Sequence, residues 1–419
     1  MSINLSVLTT ILRSPLVPET VTETDEKAKD IDINSRFYRY LIDMKYALRE
    51  VDFDDGVNLG EDHAEGKEQK SSGQFERVLL AVEERRLRKV KIQEIAESKT
   101  IEAMAKSLRP HIVNHVRDKI QDYDHAVNTL LHLPANFLDL IDMLYSNSMT
   151  YSRVAGIIRL NNIHDRNLIN MVNRSDFQLQ IGKPISQRIK DTQIAISLLG
   201  VAGTKALLPV MILKHTIKLR NEYFPLLGFK LWKLMLSNGL ASHYILQQKG
   251  YDDPIEGLLA GMMLNLGSVC IYHQFIASFE EVKKQFLLEF RRDNKKMQHD
   301  YLLKVDPEPA LLFQLMRELA PKHSLKLIQH LEMHKQRPKG MATALEQALS
   351  LCSIEQCSPL ARALRQGNAY AQLEQLRHAK LIGKENIGPF LGSVGMNKDG
   401  MATLLKRNLT RLELRHFVE

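Results

Sequence analysis

Leu258-Leu259-Ala260-Gly261-Met262-Met263-Leu264-Asn265-Leu266-Gly267-Ser268-Val269-Cys270 is the stretch whose reading decides the fold class. Leu258, Leu259, Met262, Met263 and Leu266 recur at helical spacing, and Val269 and Cys270 carry the stripe on. A 3.6-residue period turns one face of a helix to a core, whereas a strand alternates faces at every residue. Upstream, Phe137, Leu140, Ile141 and Leu144 follow the same i, i+3, i+4, i+7 pattern. No series of alternating strands with hairpin turns is legible. The expected fold is all-α.

Composition supports a folded chain. Of 419 residues, 44% are hydrophobic and 25% charged, which excludes disordered and collagenous classes and leaves room for two or three domains. Sixteen Met against one Trp suit adaptable helix packing. A net charge of +8 keeps nucleic acid and anionic surfaces in play, but it is modest over this length. Cys270, Cys352 and Cys357 are too few and odd in number for a disulfide framework, which points to a reducing compartment. Cys352 and Cys357 lack a second Cys pair for a zinc site and read as buried thiols. The most apolar stretches, 194–203 and 206–213, are broken by Lys205 and closed by Lys214, so neither is expected to span a bilayer. With no secretory signal in view, no membrane insertion is expected and the cytoplasm is the default location.

Five segments are expected along the chain. Residues 1–51 form an N-terminal helical segment with Phe37, Leu41, Met44 and Leu48 on one side. Residues 52–74 hold four glycines among seven acidic and two basic residues, too little apolar surface to offset ordering entropy, and read as a linker. An EF-hand register would put Val51 and Phe53 in ligand positions, so a calcium loop is excluded. Residues 75–125 are a helical extension in which Arg85, Arg86, Arg88, Lys89 and Lys91 cluster. On a helix these cations spread around more than one face, which favours a solvated surface over a polyanion stripe. Residues 126–336 form the central domain, and residues 337–419 a C-terminal helical extension with a basic, amphipathic tail.

The central block carries the informative order of elements. Leu131-His132-Leu133-Pro134 opens it as a helix-entry segment. Leu168 to Asn173 and the Asp191 to Gly200 helix follow, then Leu231-Trp232-Lys233 on a long helix, and finally Gly261 to Gly267. This succession resembles the HDOD (HD-related output domain) family, non-catalytic relatives of HD-type phosphohydrolases found in bacterial signalling proteins. The resemblance implies an HD-like multi-helix core that passes a signal through protein contacts. Its departures matter as much. The metal-binding His-Asp pair of HD enzymes corresponds to Leu264 and Asn265; leucine cannot ligate a metal, and a neutral amide replaces carboxylate poorly. Leu234 and Met235 stand where the family often has His-Ser, and Asn161-Asn162 where it has Asp-Pro.

No substitute chemistry is evident. His111/His115 and His330/His334 have the four-residue spacing that puts two imidazoles on one helix face, but neither pair has a completing ligand in sequence. Gly200 to Lys205 lacks the Walker spacing and reads as a helix-to-helix turn, its glycine suited to a helix end. Trp232 reads as a packing anchor among apolar neighbours. The expectation is therefore a regulatory protein, not an enzyme, with no cofactor and no metal. Its partners are proteins of a signalling pathway acting in trans on the helical extensions, and self-association is compatible with this. A remnant pocket near Leu234, His243 and Asn265 is the weaker ligand-site candidate. The alternatives are a divergent metal-dependent phosphohydrolase and a nucleic-acid-binding regulator. The latter would use Arg85 to Lys91, the Arg291-Arg292/Lys295-Lys296 cluster and the tail.

Overall fold

The apolar stripes close into helices, and polar side chains placed at their first turns set where they begin. The computed structural model describes residues 32–48, 81–182, 188–218, 220–333, 338–350 and 352–417. The expected linker at 52–74 lies outside these residues. α1 (Ile33–Ile42) and the long α2 (Ala81–Lys119) precede the central block. That block contains α3 (Phe137–Leu144), α4 (Tyr151–Arg159), α5 (Asn162–Val172), α6 (Ser175–Ile181) and α7 (Thr192–His215). It continues through α8 (Leu227–Gln248), α9 (Ile255–Met263), α10 (Leu266–Arg292) and α11 (Lys296–Leu303). α12 (Pro309–His330), α13 (Met341–Leu349), α14 (Pro359–His378), α15 (Ile387–Ser393) and α16 (Lys398–Leu405) follow. No strand occurs among the described residues, as the periodicity requires.

Several caps explain the boundaries. Thr150, Asn161, Asp191 and Ser358 each accept a backbone N–H in the first turn of α4, α5, α7 and α14, satisfying donors that the helix itself leaves open. The Asn161-Asn162 departure from the family pattern thus keeps a competent cap. Asn173 closes α5 differently. Its Nδ2 donates to the Ile169 and Ile189 carbonyls, at 2.7 and 2.8 Å, and its Oδ1 accepts from Ile189 N at 2.8 Å. The asparagine of the motif at 168–173 is therefore a clamp between a helix end and the chain entering α7. Gly200, with φ 67° and ψ −175°, interrupts α7 as the sequence suggested. That conformation is almost confined to glycine.

α8 is the hub. α9 and α14 pack along it. A Cβ on Gly261 would lie 2.7 Å from Gly239 Cα, and one on Gly367 2.5 Å from Ser242 Oγ, so α8 meets both neighbours almost backbone to backbone. Helices that approach this closely bring many atoms into dispersion contact and exclude any larger side chain. α10 is held to α12 in the same way, since a Cβ on Gly267 would sit 2.2 Å from the Ala320 carbonyl oxygen. Ile33–Glu419 forms one compact unit, and α14 belongs to its core.

One membrane expectation needs correction. The stretches 194–203 and 206–213 are not separate short pieces; they join in α7, whose mean hydropathy of 1.9 over an 18-residue window satisfies the length and composition of a span. The segment Ile255–Arg292 does so too, at 1.5. Brevity does not exclude them as spans. Their apolar faces instead lie inside the helical core, 67% and 94% buried.

Candidate functional site

The degenerate pair sits at a helix junction. Leu264 is the last residue of the α9 cap and Asn265 begins α10. Ser324 of α12 ties the junction: its hydroxyl donates to the Leu264 carbonyl at 3.1 Å and accepts from Gly267 N at 2.9 Å. Asn265 Nδ2 donates to Asn368 Oδ1 of α14 at 3.2 Å. One turn further along α10, Ser268 hydrogen-bonds the hydroxyl of Tyr38 on α1, whose pKa burial raises. α1 is itself anchored, through Arg36 to the Leu381 carbonyl at 2.9 Å and through the Lys230 ammonium to the Tyr40 carbonyl. Residues from both flanking regions therefore close over the pair.

Leu234, His243 and Asn265 do not converge on a remnant pocket. Leu234 and His243 lie nine residues apart on α8, about 13 Å along its axis. Leu234 is fully buried, and Asn265 is engaged by Asn368. The His243 ring packs at a tilt against Phe417 instead, with centroids 4.8 Å apart, and burial pushes its pKa down to about 4. The histidine pairs also have separate tasks. His111 packs edge-on against Phe286, His115 Nδ1 lies 2.9 Å from Ser278 Oγ, and His330 Nε2 lies 3.1 Å from an Asp124 oxygen. His334 lies outside the described residues. Among the described residues, no three His, Cys, Asp or Glu side chains converge to hold a metal ion.

A groove lies on the other side of α8. It has a volume of about 770 Å³ and runs between α5, α6, α7 and the segment Thr410–Leu414, with Trp232 and Leu236 of α8 in its wall. Trp232 is half-buried here, with the Lys214 ammonium 6.0 Å from its ring centroid. Arg174, Lys214 and Arg411 bring three cations, and Asp176 one carboxylate, which Arg174 already holds through two 3.0 Å bonds. Lys214 and Arg411 meet no carboxylate among the described residues. Asn167 Nδ2 and His215 Nε2 are paired at 3.0 Å, and burial lowers the His215 pKa, with Lys214 adding to it. The groove is thus cationic, half apolar and open. No single motif announces it, because its walls come from parts of the chain as far apart as Asn167 and Leu414.

Arg85, Arg86, Arg88, Lys89 and Lys91 are all exposed on α2, in a stretch that also exposes Val90, Ile92 and Ile95. At 39 residues α2 is about 58 Å long, and its second half packs on α10.

The family model of the HDOD domain matches residues 130–301. That range spans α3 to α10 and reaches into α11; it leaves α1, α2 and everything from α12 onward outside. No curated protein and no solved structure matches the chain.

Proposed function

Since residues 130–301 belong to the HDOD family, we propose that the chain is a non-catalytic regulatory protein of bacterial signal transduction. It acts in the cytoplasm through protein contacts of its helical surfaces. The observation that carries this reading is the closed junction at Leu264-Asn265. A metal-dependent phosphohydrolase needs converging imidazoles and carboxylates with an open coordination position for water. Here the side chain at the second position of the pair is held by Asn368, and the neighbouring turn is covered by Tyr38. Partner contacts are expected on the exposed first half of α2, where three exposed aliphatic residues lie among five cations.

The test is a phosphodiesterase assay with a chromogenic phosphodiester, run with added Mn²⁺, alongside elemental analysis of the purified chain. Background hydrolysis and substoichiometric metal are expected. Turnover with stoichiometric Mn, Fe or Zn would overturn the reading in favour of a divergent phosphohydrolase. Binding of DNA or RNA that weakens steeply with salt and is lost on reversing Arg85, Arg86, Arg88, Lys89 and Lys91 would instead favour the nucleic-acid reading.

The groove favours a second component of the same function, a small-molecule input. Two cations without a carboxylate partner, beside an aromatic face and apolar walls, suit an organic anion with a ring or short apolar body. Trp232 is the single tryptophan, so fluorescence excited selectively at the indole, beyond tyrosine absorption, reports on this groove. Titration with an anilinonaphthalene sulfonate is expected to quench Trp232 saturably. The Lys214→Glu/Arg411→Glu variant should weaken that binding at least tenfold; equal binding by the variant would sink the assignment.

A further inference from the structure

The loop between α13 and α14 holds an arrangement that neither the family nor the groove explains. Cys352 Sγ and Cys357 Sγ lie 3.2 Å apart, both as free thiols. Cys352 Sγ also lies 3.4 Å from the Gln347 carbonyl in the last turns of α13, and Cys357 Sγ 3.3 Å from the Ser353 carbonyl in the loop. A disulfide requires about 2.05 Å between sulfurs. The gap of about 1.2 Å is within reach of side-chain rotation and a small shift of the loop, without moving either helix.

The two thiols are unequal. Cys352 is half-buried at the surface, whereas Cys357 is 4% exposed. The Arg365 guanidinium of α14 stands over the loop and holds it through the carbonyls of Ala348 at 3.3 Å, Cys352 at 2.7 Å and Gln347 at 2.8 Å. It also lies 3.5 Å from Cys352 Sγ. Hydrogen bonds from Ser350 and Cys357, together with the Arg365 charge, hold the Cys352 thiol below its ordinary pKa. Burial, with Cys352 adding to it, raises the Cys357 thiol. One sulfur is therefore accessible and favoured as thiolate, and the other is sheltered directly behind it. A nucleophilic thiol and a resolving thiol have this division of roles. The third cysteine, Cys270, is fully buried in α10, and burial raises its pKa strongly.

We propose that Cys352 and Cys357 are a redox modification site, oxidised by a hydroperoxide to a reversible intramolecular disulfide. Cys352 thiolate attacks the peroxide; an S–O bond forms, the O–O bond breaks, and the departing hydroxide takes up a proton to leave as water. Cys357 then attacks the sulfenic sulfur. The S–S bond forms, the S–O bond breaks, and the second hydroxide combines with the Cys357 proton. Two thiols and one hydrogen peroxide become one disulfide and two waters. The product ties the loop immediately before the Ser358 cap of α14, the helix that carries Asn368 to the degenerate pair.

The experiment is a hydrogen peroxide titration of the full chain under native conditions, followed by intact mass, thiol counting and non-reducing peptide mapping. The expected result is loss of two thiols of three and two hydrogens of mass, with Cys270 unchanged and full reversal by dithiothreitol. Cys357→Ser should stop at a sulfenic acid that dimedone traps on Cys352. Cys352→Ser should leave Cys357 at least tenfold less reactive than Cys352 is in the parent chain. Circular dichroism on each variant separates lost chemistry from lost fold. Dimedone capture on Cys357, disulfides only between chains, or a persistent pair of thiols in folded protein would each overturn the proposal.

Discussion

The two sides of α8 meet opposite fates. On one, Asn238 and Ser242 are fully buried, donating to the Gly261 and Ala363 carbonyls at 2.8 and 3.2 Å, and glycines bring α9 and α14 nearly to backbone contact. On the other, Trp232 and Leu236 border a groove of about 770 Å³ with unmatched positive charge. The degenerate pair belongs to the closed side. Asn238 and Ser242 are tolerated there because each finds a partner, whereas the groove leaves its cations at an open surface. The contrast teaches that the flanking helices close over Leu264-Asn265, whereas the groove at Trp232 stays open.

Acid should strain this contrast most. His273 Nδ1 meets the Leu130 carbonyl at 2.8 Å and its Nε2 accepts from Lys218 N at 3.2 Å, which fixes the neutral tautomer. Burial holds His243, His273 and His323 at about 4, below the ordinary 6.5. The unfolded chain therefore binds more protons than the folded one between those limits, and stability is full above pH 6.5 and falls as pH drops toward 4. Each residue contributes on the order of 3 kcal/mol across that window. Glu256 acts in the opposite sense: burial and Asp253 raise it to about 7, so its contribution is present below 4.5 and lost as pH rises through 7. Urea midpoints measured from pH 7.5 to 4.5 should fall steeply; a flat profile would mean the interior is wet.

Gly261→Val should cost about 3 kcal/mol or more, because α8 and α9 must separate. Arg411→Ala, on the groove side, should stay within about 0.5 kcal/mol. Comparable losses in chemical denaturation would erase the distinction between the two sides. Gly200→Ala has open space for its Cβ, so its expected cost of about 1–3 kcal/mol is backbone strain alone. A larger loss would reveal packing at that kink. The smallest effect concerns the link between pair and flank. A double-mutant cycle on Asn265→Ala and Asn368→Ala should return a coupling of about 1 kcal/mol, and zero coupling would reopen the junction.

Much of this architecture was legible locally. The apolar stripes and the break at Gly200 depend on residues within one or two turns, so sequence spacing carries them. The ordered elements from Leu131 to Gly267 likewise anticipated the match over 130–301. Leu234 and His243 misled because nine residues along a helix turn two side chains to opposite faces. That Trp232 borders a groove was not legible, because apolar sequence neighbours do not reveal which side of a helix is left uncovered. The cysteine pair was visible as a spacing and read as inert, since spacing cannot say whether two sulfurs in a loop face each other.

By itself, then, the sequence determined an all-helical chain whose residues 130–301 match the HDOD model, with Leu264-Asn265 where HD enzymes carry His-Asp, since periodicity and side-chain chemistry are properties of neighbouring residues. Only the tertiary structure decided that Asn368 and Tyr38 close the junction, that the groove opens at Trp232, and that Cys352 faces Cys357. Those contacts join residues that chain connectivity leaves free, and close packing selects among the arrangements that the same helices could otherwise adopt.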